Sequence, residues 1–183
     1  MASQLTSRLL RLLAALALAV ASTSAFAQSR FGLSPEEYAV FNRWMLASCI
    51  GGDERALAES LRRYPQQLTG AFGQAIAAGP SAEELAAVRA GAEARYESRA
   101  KFPLSEFRIA GVSDEDLARF NRVSRSEYVD DQVKRFSAGY RSNAVAGLGV
   151  IGIPDARAQL ERIAGDRQDP LAGAAREALK AIR

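Results

Sequence analysis

Histidine is absent from this chain, and cysteine and tryptophan each occur once among its 183 residues. Without an imidazole there is no Ser-His-Asp or Cys-His catalytic arrangement, and most zinc and haem sites lose a principal ligand. One thiol, Cys49, makes neither an internal disulfide nor a thiolate metal cluster within a single chain. Sustained alternation of apolar and polar residues over β-branched stretches is missing too, so no segment reads as a strand. Nor is charge of one sign concentrated anywhere. The 24 basic and 21 acidic residues are interspersed, which excludes the basic face that displaces counterions from nucleic acid. What remains is 48% hydrophobic and 25% charged, a globular composition in a chain long enough for one domain of ordinary size.

Residues 1–27 read as a secretory signal peptide. Arg8 and Arg11 supply the positive region, Leu12 to Val20 an unbroken apolar run, and Ala25-Phe26-Ala27 a small-x-small cleavage site. The run is short of the roughly 20 residues that span a bilayer. The expected product begins at Gln28 and is periplasmic or secreted from a Gram-negative bacterium, with membrane attachment only if the leader is uncleaved. Loss of the two leader arginines leaves 22 basic and 21 acidic residues. Leu46-Ala47-Ser48-Cys49 resembles a lipobox, but Asn42, Arg43 and Trp44 stand where its apolar run is needed. Cys49 is therefore expected at a small buried position on a helix.

The mature chain reads as all-α, with about eight or nine helices. Ser34-Pro35-Glu36-Glu37 is a capping box with proline at the first helical position. It opens a helix to about Ile50 that places Tyr38, Phe41, Met45 and Cys49 on one face, and Gly51-Gly52 ends it. Asp53 can cap a helix from Glu54 to about Tyr64 with Leu57, Leu61 and Tyr64 inward. Pro65 re-aims the chain into a further helix, Gln66 to Ala78, with Leu68, Phe72, Ala75 and Ile76 inward, stopped at Gly79-Pro80. A second capping box at Ser81 to Glu84 opens a helix towards Ala100, in which Leu85, Val88, Ala92 and Tyr96 face inward and Gly91 marks a close helix approach. Pro103 to Gly111 reads as a short irregular segment. Ser113-Asp114-Glu115-Asp116 starts another helix, and Ser124 to Glu127, a third box, starts one to about Phe136.

The last quarter contains an internal echo. Tyr140 to Gly152 aligns with Leu171 to Arg183 at an offset of 31 residues, placing Ala144 on Ala175, Gly147 on Ala178, Leu148 on Leu179 and Ile151 on Ile182. Leu148-Gly149-Val150-Ile151-Gly152, then Pro154, Ala158, Leu160 and Asp169-Pro170, resembles HEAT repeats, in particular the short form associated with phycobilisome lyases. The resemblance implies antiparallel helix pairs stacked as a short α-solenoid over 124–183, with 28–123 as a helical N-terminal region of degenerate repeats or a cap. Arg141 matches the family's arginine at the start of the second helix, although Ala172 takes that place in the last unit. Ile153 stands where the family has the aspartate of its Gly-Asp-Pro turn.

No catalytic, cofactor-binding or metal-binding residue is assigned. Gly147-Leu148-Gly149 lies inside the repeat helix, without the preceding strand and following lysine of a phosphate loop. Asp114, Glu115 and Asp116 suit a helix N-terminus, Asp130 and Asp131 a solvated face, and Asp166 and Asp169 the last turn, where Asp169 before Pro170 is a natural cap. The expected role is an exported, non-catalytic protein-protein interaction module of the bacterial cell envelope, with an unidentified protein partner and no nucleic acid. Repeat stacks offer extended surfaces for such a role. The alternative is an envelope enzyme, a carboxylate-based hydrolase or a lyase-like protein. Arg141 either pairs with a partner's carboxylate or joins repeats, and the apolar positions of the last helix offer docking or self-association.

Overall fold

The computed structural model describes residues 30–46, 54–101, 113, 115 and 122–182. The leader, Cys49, Asp53, the segment 102–112, Asp114 and Asp116 lie outside the described residues. Those described are helical without a strand, in seven helices: α1 Pro35–Met45, α2 Glu54–Leu61, α3 Pro65–Ala78, α4 Ala82–Lys101, α5 Arg125–Ile151, α6 Pro154–Gly165 and α7 Ala172–Ala181. The all-α reading holds.

All three capping boxes form. The Ser34, Ser81 and Ser124 backbone N–H groups donate to Glu37, Glu84 and Glu127 at 2.7, 2.6 and 2.9 Å, and each glutamate N–H donates back to the serine hydroxyl. Each box occupies backbone donors that the first helical turn leaves without an intrahelical acceptor. At Pro65 the helix begins on the proline itself, one residue earlier than expected, because its missing N–H is no loss at the first helical position. The preceding helix closes early, at Leu61, where Arg63 and Tyr64 tighten into bonds to Ser60 and Leu61 carbonyls.

The chain divides into two compact units that do not follow chain order. One gathers the residues up to Gln74 with those from Asn143 on, and the other is Ala75–Ser142. In the first unit Phe41 packs on Phe31 and Phe72 with ring centroids 4.8 and 5.2 Å apart. Leu61, Leu68, Val145, Leu148 and Leu160 are fully buried around the unit's core. Helices α6 and α7 pack together, as do α1 and α2. Burying one such side chain contributes about 1.5–3 kcal/mol, so the core of this unit rests on both ends of the sequence.

The second unit holds α4 antiparallel to the first part of α5. The Tyr96 hydroxyl donates to the Val123 carbonyl at 3.1 Å, Arg125 pairs with Glu93 and Glu97, and Arg89 pairs with Asp130. Among the described residues its buried apolar positions are Ala75, Ala92, Val129 and Tyr140. Leu85, Val88 and Tyr96, expected inward, are half-buried. Among the described residues, a methyl at Gly91 would meet Arg95 Nη1 alone, at 3.5 Å.

Two further expectations are corrected. Helix α1 ends at Met45, before Gly51-Gly52, where the Asn143 side chain donates to the Met45 carbonyl at 2.9 Å. Helix α5 runs without a break through Ser137, Ala138 and Gly139, so 125–136 is not a separate first helix of a repeat unit. Nothing in Ser137-Ala138-Gly139 forces an end, since neither a proline nor a left-handed glycine occurs there.

Candidate functional site

Glycines 147 and 149 lie on α5, and each is occupied by packing rather than by open space. A methyl at Gly147 would fall 2.5 Å from Phe72 Cε2 and Cζ and 2.9 Å from Trp44 Nε1. One at Gly149 would fall 2.9 Å from Ala178 Cβ and 3.2 Å from its backbone carbonyl oxygen. Close passage of α5 by α7 therefore runs through Gly149 and Ala178, which sequence reading had not paired. The Trp44 indole N–H donates to the Asn143 carbonyl at 2.7 Å, and Asn143 donates back to Met45. This reciprocal link was also missed, because a polar pair nearly a hundred residues apart leaves no periodic signal.

Arginine side chains lie at the C-terminal ends of three helices. Arg62 Nε donates to the Val150 carbonyl at the end of α5, at 3.2 Å, and Arg176 to the Ala164 carbonyl at the end of α6, at 3.1 Å. Arg141 lies beside Gly79, the residue that follows α3, with Nη2 3.0 Å from the place a Cβ would take. Gly79 has φ +71°, a left-handed end that glycine adopts without strain. A cation there complements the negative end of the helix dipole. The Arg141 Nε is buried without a hydrogen-bond acceptor among the described residues. Arg141 is half-buried, and it and Gly79 belong to the same compact unit.

The described carboxylates singled out in the sequence are engaged locally. Asp130 pairs with Arg89, and Asp131 with Arg135 at 2.7 Å. Asp166 accepts from the Gln168 N–H. Asp169 accepts from the Leu171 N–H at 2.7 Å. Asp169 thus closes the turn two residues on, while the cap position of α7 is Leu171, which makes no side-chain bond. Glu115 is exposed, and its neighbours Asp114 and Asp116 lie outside the described residues. Among the described residues no three histidine, cysteine, aspartate or glutamate side chains come together as a metal site.

Two ionisable groups are displaced from their ordinary values by local partners. The Ser124 hydroxyl and backbone N–H hold the Glu127 carboxyl below the usual carboxylate value. A hydrogen bond to Glu36, then burial and the Glu36 charge, push the Tyr64 hydroxyl up. The first belongs to a helix cap and the second to an ordinary surface pair, neither of which needs a catalytic explanation.

On α7 the outward residues are Gly173, Arg176, Glu177, Lys180 and Ala181, with Lys180 paired to Glu177 at 2.8 Å. Leu179 and Ile182 are half-buried, and Ile182 reaches the backbone at Gly152. The last helix thus turns a polar face outward and much of its apolar stripe inward. Among the described residues the large apolar side chain most open to solvent is Leu46, 37% exposed. No described helix is long and apolar enough to cross a membrane. Comparison with protein-family models, with curated proteins and with solved structures returns no match.

Proposed function

We propose that this chain is an exported, non-catalytic helical-repeat protein that serves as a protein-protein interaction module in the bacterial cell envelope. The observation that carries the reading is burial at both members of one echoed pair. Ala144 and Ala175, 31 residues apart in sequence, are both fully buried, on helices that approach each other at Gly149 and Ala178. Small residues at matched positions are what stacked helical repeats use to bring neighbours together. The repeat-like part is then the end of α5 with α6 and α7, while the first part of α5 belongs to the other compact unit. Binding falls to the outward faces of these helices, since their apolar residues are engaged within the unit.

The test is expression of the full chain, tagged at its C-terminus, in a Gram-negative host. The periplasmic fraction should contain a product whose intact mass begins at Gln28. The tagged protein should retain an envelope protein in stoichiometric amount, and charge reversal at exposed Arg157 and Lys180 should reduce that retention at least tenfold with helicity unchanged. A product confined to the cytoplasm, or retention unaffected by reversal on every exposed helix face, would overturn the proposal.

A further inference from the structure

We draw no further inference here: the strongest candidate, the exposed stripe of Ala86, Ala90 and Ala94 on α4, is a row of small residues beside the exposed Glu83, and nothing in the structure shows what would cover it.

Discussion

At Gly149 a methyl group has nowhere to go, because Ala178 Cα, Cβ and carbonyl oxygen all lie within 3.2 Å of its position. At Gly139, on the same helix, it would meet nothing within 4 Å among the described residues. Helix propensity favours alanine at both sites by about 1 kcal/mol, so space decides the sign. Gly149→Ala is expected to destabilise by about 1–3 kcal/mol through overpacking, and Gly139→Ala to stabilise by about 0.5–1 kcal/mol. Urea melts followed by circular dichroism measure both, and equal effects would refute the assigned contact. Protonation offers a second test. The Glu127 carboxyl has a folded value below its unfolded one, so its contribution is present above the ordinary carboxylate value and is lost as pH falls through the lowered value. Ser124→Ala, which removes the hydroxyl that Glu127 accepts from, should lower Tm at neutral pH and by progressively less in acid. A Tm difference independent of pH would refute that linkage.

Helix starts were legible because their causes are local. A serine followed three residues later by glutamate satisfies its own backbone donors whatever surrounds it, and all three such boxes form. Helix ends were less so. Gly79 ends α3 as expected, with positive φ, and Gly152, also with positive φ, follows the end of α5. Helix α1 ends at Met45, whose carbonyl accepts from the Asn143 side chain, a contact that no reading of residues 35–50 contains. The helix opened by the Ser124 box is expected to end near Phe136, yet Ser137, Ala138 and Gly139 carry no stop signal and α5 continues to Ile151. Proline at Gly139 separates the two possibilities. In one continuous helix it costs about 3 kcal/mol or more, whereas a turn between helices would accept it with little change in Tm.

For the whole molecule, α1, α2 and most of α3 share a compact unit with the end of α5, α6 and α7. Truncation after Ser142 removes Val145, Leu148 and Leu160, each fully buried. The shortened chain is expected to lose cooperative unfolding of α1 and α2, read as loss of protected amides over 35–61 by hydrogen exchange; protection retained there would refute the shared core. The candidate functional surface was less legible than the fold. Arg141 was picked out by the repeat pattern, but its place beside Gly79 depends on α3. The partners of Asp130 and Asp131 mix one neighbour four residues along with one from another helix, and periodicity reaches only the first. Composition, periodicity and capping residues by themselves determined that the described chain is helical and where α1, α4 and α5 start, since those depend on neighbours within a few residues. The continuity of α5, the end of α1, the passage of Gly149 against Ala178 and the joining of the two sequence ends were decided by tertiary structure. Each of these depends on which distant surface arrives to fill a space or accept a hydrogen bond.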